Sequence, residues 1–490
     1  MSQTEDARES KTASGGFGPW TTGELPPPPR FGLKEWRALI GPGIVMAGAN
    51  IGGGEWLLGP EVTARYGGSI LWIATIAVLV QVFYNLEVMR YALYCGEPMF
   101  VGYFRLRPGP TFWTAAYLLL DFGGIWPYLA SNAAVPFAAL FLGRIPETPR
   151  DEFLVRSLGY AVFLGAYVPI LFGGKVYNAL RFCMIAKAIL VLGYLSVVNI
   201  FWNTAAWGEA SLGLVQFGTL PKEIDWATVA AFAAICGAGG LTNMHCSNYV
   251  RDQGWGMGSQ VGAIPSAFGG RTISLSHVGK VFPIHAESLR RWRGWIRHVA
   301  REQFFLWAPA CILGAMLPAM LSLGFLERGS TPKSGWEQAA LTAQGLSSKA
   351  GPAFWYLTLT CGLLVLAPTQ IAQMDGTVRR WVDVIWMGTK KLRGLEGHKV
   401  KNVYYGILIV YGVWGAIALF FFNPAAIVKT VGNIWNLALG FSALQTIYTN
   451  RKLLPRELRP NLFMEAGVLA CGVFYLGIFC IVLYDKLTSG

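Results

Sequence analysis

The chain has 490 residues, of which 53% are hydrophobic and 14% are charged, and its formal net charge is +13. A soluble domain carries about 25% charged residues, so this composition argues against a soluble enzyme and is typical of a polytopic membrane protein. The eight cysteines show no CxxC spacing, which argues against a disulfide framework and against zinc or iron–sulfur sites. Because no P-loop signature is present, ATP-driven pumping by this chain is not expected.

The chain begins with a polar segment, residues 1–37, which contains ELPPPP and lacks the apolar region of a signal peptide. We predict that it is a cytoplasmic tail. Eleven apolar stretches follow, each long enough to cross a hydrocarbon core of about 30 Å, which requires roughly 20 residues. These predicted spans are residues 38–65, 70–95, 112–142, 155–174, 179–201, 227–250, 301–324, 352–377, 403–422, 424–448 and 463–484.

The predicted organisation is two groups of five spans and one further span. The first group covers residues 38–201, an extracellular loop covers 202–226, and the second group covers 227–448 and includes a basic cytoplasmic loop at 251–300. The last span is 463–484. Because Lys and Arg are retained in short cytoplasmic loops, we predict a cytoplasmic N-terminus and an external C-terminus in a bacterial-type plasma membrane. The net positive charge then reflects topology and contact with anionic lipid, and no nucleic-acid partner is expected.

Glycines interrupt the first and the sixth of these spans. The first contains GGGE at residues 52–55, and the sixth contains CGAGGLTNMHCSN at residues 236–248. Glycine disfavours a helix interior by up to about 1 kcal/mol relative to alanine, and backbone groups freed in lipid need other partners. Such interruptions at matching positions of two five-span halves indicate an inverted-repeat transporter with its site at the midplane. The alternative is a small-residue packing face, which would require neither the carboxylate at 55 nor the polar run at 242–245.

The segment GPGIVMAGANIGGGEWLLGPEVTARYGGSILW, residues 41–72, resembles the first helix of the Nramp family of proton-coupled divalent-metal transporters. Further matches are NLEVMRYALYCGEP at 85–98, Asp121 in the third span, GAG at 237–239 and TNRKLLP at 449–455. The resemblance implies an all-α membrane protein with a LeuT-type fold, in which spans one to five and six to ten are inverted repeats and an eleventh helix lies outside them.

The residues that bind metal in that family are only partly present. The family has Asp-Pro-Gly-Asn in the first break, where this chain has Gly-Gly-Gly-Glu at 52–55. The family's Met-Pro-His falls on Leu-Thr-Asn at 241–243 without gaps, and it approaches Met-His at 244–245 with a shift of one residue. A family glutamate of the third span corresponds to Gly124, and a family glutamine of the tenth span falls at Asn436.

Residues in the two breaks offer ligands for a transported cation. Hard ions prefer oxygen ligands, and softer ions also accept thioether and imidazole. The candidate metal ligands are Glu55, Asn243, Met244 and His245. The candidate substrate site also includes Asn50, Gly52, Gly53, Gly54, Thr242 and Asn436. We expect a small cation such as Mn²⁺, Fe²⁺ or Mg²⁺ to be the substrate, and no resident cofactor.

Two other interpretations remain open at this point. Free N–H groups at the start of a half-helix form an anion site, so the glycines at 52–54 could hold the carboxylate of a small organic solute such as an amino acid. Alternatively, the chain is a sensor or scaffold that transports nothing. In that case the basic, Trp-containing stretch at 287–303 would contact a partner or the lipid surface.

Acids within the spans are costly in lipid and therefore indicate function. The predicted proton-relay or gate residues are Asp121, Glu61 and Asp375. Asp121 is expected to be a lone buried acid that binds a proton, with a hydrogen-bonding role in helix packing as the equal alternative. Glu61 can instead be a charge at the outer interface, and Asp375 can also pair with the arginines at 379–380. Lys429 is expected to extend toward the outer interface.

Overall fold

The computed structural model describes residues 17–30, 52–172, 176–262, 278–332, 336–393, 400–422 and 424–488. Asn50 and the beginning of the first predicted span lie outside these ranges. The helices of the first half are α1 (Gly59–Tyr66), α2 (Trp72–Cys95), α3 (Met99–Phe104), α4 (Pro110–Leu120), α5 (Tyr128–Leu142), α6 (Glu152–Gly165), α7 (Tyr167–Phe172) and α8 (Val176–Phe201). A π-helical turn, Gly54–Leu58, leads directly into α1, and a 3₁₀ turn, Gly68–Leu71, leads into α2.

The second half repeats this pattern of long helices joined by short ones. Its helices are α9 (Ala206–Gly213), α10 (Trp226–Ile235), α11 (His245–Gln253), α12 (Ala286–Glu302), α13 (Ala308–Phe325), α14 (Leu341–Ala350), α15 (Ala353–Gly388), α16 (Lys390–Arg393), α17 (Val400–Phe421), α18 (Pro424–Leu453) and α19 (Leu462–Thr488). One further short turn, Asp121–Ile125, belongs to the first half. The short turns of the second half are Thr242–Met244, Gly256–Gln260, Gln303–Trp307, Glu337–Ala339 and Arg456–Leu458.

Many of these helices expose apolar side chains. Eight helices within the described ranges are long and apolar enough to cross a membrane. Phe182 and Leu119, for example, are 75% and 74% exposed. A large exposed apolar patch indicates contact with a membrane or with another protein. Because these helices are long and apolar enough to cross a membrane, their exposed apolar side chains face lipid. The chain is therefore an integral membrane protein.

Helix α15 lies at the centre of the bundle. It packs against α4, α5, α8, α14 and α17. Helix α18 packs against α10 and α19, and α1 packs against α13. Residues of α15, α5 and α18 lie close to the two glycine-containing segments.

The third predicted span contains a break that the sequence analysis did not predict. Helix α4 ends at Leu120, a 3₁₀ turn covers Asp121–Ile125, and Trp126 is extended before α5 begins at Tyr128. A Cβ atom at Gly123 would lie 2.6 Å from the Trp435 indole nitrogen, so close contact with α18 requires glycine here. Asp121 consequently lies at a helix end rather than inside a continuous helix.

Residues 17–30 of the N-terminal segment pack against the helices, as shown by hydrogen bonds from Arg105 to the Gly18 carbonyl and from Trp295 to the Pro26 carbonyl. Strand β1 (Thr21–Thr22) pairs in parallel with β2 (Lys280–Val281), with Thr21 opposite Lys280. Helix α12, which ends the predicted basic loop, continues through the π-helical turn Gln303–Trp307 into α13. The basic segment is thus joined rigidly to the seventh span.

Candidate functional site

The break in the sixth span forms one wall of the candidate site. Helix α10 ends at Ile235, and the next residues include Gly237 and Gly240, whose φ angles are +85° and +60°. Glycine adopts these angles without the steric cost that other residues meet. A Cβ at Gly239 would lie 2.2 Å from the Trp435 ring, so this glycine is required by a close approach to α18.

The glycines of the first span form the opposite wall. The Trp56 N–H donates to the Gly52 carbonyl over 3.1 Å, and the π-helical turn begins at Gly54. A Cβ at Gly53 would lie 2.8 Å from the Tyr128 ring. The first span can therefore approach α5 this closely only because position 53 lacks a side chain.

A small cavity separates these two segments. Its volume is about 30 Å³, which is room for one or two water molecules or a single ion. The cavity is lined by Gly52, Gly53, Glu55, Tyr128, Ile235, Gly237, Gly239, Thr242, His245, Tyr249, Thr369, Ala372, Gln373 and Trp435. Five residues of the predicted site therefore meet here, namely Gly52, Gly53, Glu55, Thr242 and His245.

Glu55 is the one acid among the described residues of the cavity wall. Its side chain is 1% exposed, and Oε2 accepts a hydrogen bond of 3.0 Å from the Gly52 N–H. Oε1 is buried without a hydrogen-bond partner among the described residues. Since buried polar atoms are nearly always paired, an unpaired carboxylate oxygen beside a cavity indicates a place where a ligand binds.

His245 lines the same cavity but also has a cationic neighbour. Its Nε2 contacts a guanidinium nitrogen of Arg380. Because a guanidinium only donates hydrogen bonds, Nε2 serves as the acceptor. A Cβ at Gly376 would lie 1.8 Å from the imidazole, so the ring packs directly on the α15 backbone.

Asp121 is paired with the same arginine. Arg380 Nε and Nη2 donate to its two carboxylate oxygens over 3.0 and 2.9 Å, and Trp381 Nε1 donates to Oδ2 over 3.0 Å. The expectation of a lone buried acid was wrong. Gly124 leaves space for this pair, because a Cβ there would lie 3.1 Å from Arg380 Nη2.

The other predicted ligands of the sixth span point away from the cavity. Asn243 Nδ2 donates to Asn85 Oδ1 over 2.6 Å and to Gln81 Oε1 over 3.2 Å, both on α2. Met244 Sδ accepts from the Tyr103 hydroxyl over 3.7 Å. Among the residues that the structure describes, no group of three or more His, Cys, Asp or Glu side chains is arranged to hold a metal ion.

The remaining predicted residues lie at other places in the bundle. Asn436 donates to the Ala230 carbonyl over 3.0 Å. Glu61 accepts a hydrogen bond of 3.0 Å from Lys429, whose side chain is 33% exposed, and the extension of this lysine toward the outer interface stays a prediction. Asp375 pairs with Arg379 over 2.7 Å, which is one of the two partners considered for it.

Lys187 is the principal residue that the sequence analysis missed. It lies on α8, is 2% exposed and donates through Nζ to the Thr369 hydroxyl on the cavity wall. Since Thr369 and Glu55 line the same cavity, the ammonium group lies close to the cavity that Glu55 faces. A single lysine inside the apolar run 179–201 was the available signal, since ionisable residues at membrane depth indicate function.

The sequence of the chain matches no protein-family model. An uncharacterized protein of Pasteurella multocida (strain Pm70) is 24% identical over 205 residues, which are 39% of this chain and 46% of that protein. The match thus covers less than half the length of that relative.

Solved structures are more informative about the fold. Crystal structures of two mutant forms of the Eremococcus coleocola manganese transporter each cover 93% of this chain and 88% of theirs, with a TM-score of 0.62 and 12% identity. The chain has a LeuT-type fold. The fold prediction is thereby confirmed, and at this identity the likeness extends to the fold alone.

Proposed function

We propose that the chain is a secondary transporter, a divergent relative of the Nramp family, that moves a divalent metal cation by alternating access. The observation that carries this proposal is the buried Glu55 carboxylate, whose Oε1 has no partner among the described residues and which lines a small cavity between the two glycine-containing segments. A carboxylate is a preferred ligand of Mn²⁺, Fe²⁺ and Mg²⁺. The orientation with a cytoplasmic N-terminus, in a bacterial-type plasma membrane, is part of the proposal.

The size of the cavity favours a single ion over an organic solute. Pockets for drug-sized molecules measure about 300–1,000 Å³, whereas this cavity measures about 30 Å³. Thr242 and Gln373 offer further oxygen atoms on its wall. An ion that exchanges part of its water for these groups fits the space without further opening.

A second candidate is a small carboxylate-bearing solute such as an amino acid. The specific observation in its favour is the Lys187 ammonium, which donates to Thr369 on the cavity wall and would attract an anionic group. This substrate requires a wider cavity in another conformation. The two candidates therefore differ in the charge and in the volume of what is bound.

Flux measurements distinguish these candidates. Full-length protein in liposomes that contain indicators for Mn²⁺, Fe²⁺ or Mg²⁺ should report uptake of at least one of these ions. Glu55→Gln should abolish that uptake because it removes the only carboxylate that the described residues place on the cavity wall. The matched control is Glu152→Gln, since Glu152 forms a half-exposed pair with Arg156 at the surface. Saturable amino-acid uptake without a metal signal would contradict the leading proposal, and absence of both fluxes would favour a sensor or scaffold.

Proton coupling is a separate part of the proposal. A pH indicator inside the liposomes should report acidification during metal uptake. Asp121→Asn should remove this signal if Asp121, which is paired with Arg380, carries the proton. Unchanged internal pH during metal uptake by the unmodified protein would contradict proton coupling and leave metal transport intact.

A further inference from the structure

Most buried charges near the cavity are paired. Asp121 pairs with Arg380 over 2.9 Å, and Asp375 pairs with Arg379 over 2.7 Å. These contacts occupy both arginines with acids other than Glu55. The guanidinium groups of α15 are therefore committed to other carboxylates.

Glu55 and Lys187 differ from these pairs. Neither forms an ion pair within 4.0 Å with another described residue, although both are at least 98% buried. Lys187 donates a hydrogen bond to Thr369, and Thr369 lines the same cavity as Glu55. An unpaired carboxylate and an unpaired ammonium therefore lie beside one cavity without being in contact.

This arrangement matters for a carrier that must return empty. A buried carboxylate without a compensating positive charge is strongly disfavoured, and that state would arise each time a bound cation left Glu55. We infer that Lys187 is the built-in counter-ion of Glu55, which compensates its charge in the empty carrier and competes with the transported cation for it. This inference rests on the proposed transport of a divalent cation.

The position of Lys187 fits this role. Its Nζ is held by the Thr369 hydroxyl, which in turn donates to the Val365 carbonyl over 2.5 Å. Helix α15 therefore fixes the ammonium beside the cavity, whose described lining includes Thr369 and not Lys187. A cation can bind at Glu55 without displacing the lysine side chain from its hydrogen bond.

The test compares net uptake with exchange in liposomes. Lys187→Met keeps the length of the side chain and removes its charge. With Mn²⁺ as the probe, net uptake into Mn²⁺-free liposomes should fall at least tenfold, because the empty carrier must then move an uncompensated Glu55. Exchange of external for internal Mn²⁺ should persist, because the carrier is loaded in both directions. Lys486→Met, at the exposed end of α19, is the matched control and should change neither rate.

Binding measurements provide an independent readout. Because the competing charge is absent, Mn²⁺ should bind Lys187→Met at least tenfold more tightly than the unmodified protein. Mn²⁺ should also raise its melting temperature more. The double variant Glu55→Gln/Lys187→Met should melt at a higher temperature than either single variant, because neither uncompensated charge remains. Lys187→Gln serves as a second neutral variant if the methionine variant does not fold.

The outcomes separate the two proposals. If the unmodified protein neither binds nor transports Mn²⁺, Fe²⁺ or Mg²⁺, the proposed function fails and the counter-ion role falls with it. If metal uptake is present but Lys187→Met and Lys187→Gln reduce net uptake and exchange equally, only the counter-ion role is overturned. Additive melting temperatures in the double variant would also overturn it.

Discussion

Two groups of buried charges lie along α15, and they differ in how completely their members are paired. The first, which we call the α11–α15 cluster, consists of Arg251, Asp252, Asp375, Arg379 and Asp383. In this cluster each arginine contacts two acids, and Arg379 contacts Asp375 and Asp252 over 2.7 and 2.6 Å. The second group, Glu55 and Lys187, contains no direct ion pair.

The difference separates two uses of buried charge in one protein. A set of charges that are hydrogen-bonded to one another holds its helices together, and removal of one member leaves the others uncompensated. A set left open beside a cavity is available to a ligand. The Tyr404 hydroxyl, which donates to Asp375 over 2.6 Å, further closes the α11–α15 cluster.

The largest expected effect comes from removing one charged side chain from the α11–α15 cluster. Arg379→Ala should lower the free energy of unfolding by about 3–5 kcal/mol, because Asp375 then remains buried without a counter-charge and Asp252 keeps only Arg251. Equilibrium unfolding in mixed micelles measures this change. Arg379→Lys, which keeps the charge, should recover part of the loss. A loss below about 1 kcal/mol would show that the two groups of charges do not differ in this way.

An intermediate effect is expected from adding a side chain at the point where the first span lies closest to α5. Gly53→Ala places a Cβ 2.8 Å from the Tyr128 ring, and overpacking of this kind costs about 1–3 kcal/mol. Since Tyr128 lines the cavity, metal flux should fall as well. The control is Gly193→Ala, because Gly193 lies within α8 with open space around it and alanine there should stabilise the helix by up to about 1 kcal/mol. Equal effects of the two substitutions on flux would contradict the assignment of the cavity.

The smallest effect is expected at the pair between α1 and α18. Lys429, whose side chain is 33% exposed, contacts Glu61 over 3.0 Å, and partly exposed pairs contribute up to about 1 kcal/mol. Lys429→Met should therefore change stability by no more than that amount. It should leave the affinity for Mn²⁺ unchanged, because neither residue lines the cavity. Isothermal titration with Mn²⁺ checks this prediction, and a loss of binding would extend the site to Glu61.

The sequence predicted the LeuT-type fold and the importance of the glycine-containing segments. It did not predict which helices meet. Asp121 and Arg380 are 259 positions apart, and Glu61 and Lys429 are 368 positions apart. Hydrophobic periodicity places each residue on a span but carries no information about the span that it faces. For this reason Asp121 was expected to be unpaired.

In the candidate site, too, the sequence predicted some residues correctly and misplaced or missed others. Glu55, Thr242 and His245 were predicted because polar residues beside glycines are conspicuous within apolar spans. Asn243 was predicted with them, although its side chain points toward α2. Neighbouring residues of a turn point in different directions, and the direction depends on how the turn packs. Lys187 was missed because it lies in an uninterrupted helix, away from either break.

The sequence by itself determined that the chain is a membrane protein and that its first and sixth spans contain unusual glycine-rich segments. Both follow from local properties, namely hydropathy and the absence of side chains at particular positions. Only the tertiary structure decided the volume of the cavity, the pairing of Asp121 with Arg380 and the position of Lys187 beside the cavity that Glu55 lines. Each of these depends on several helices meeting at one place, and the charge on a residue has a functional meaning only once its neighbours are known.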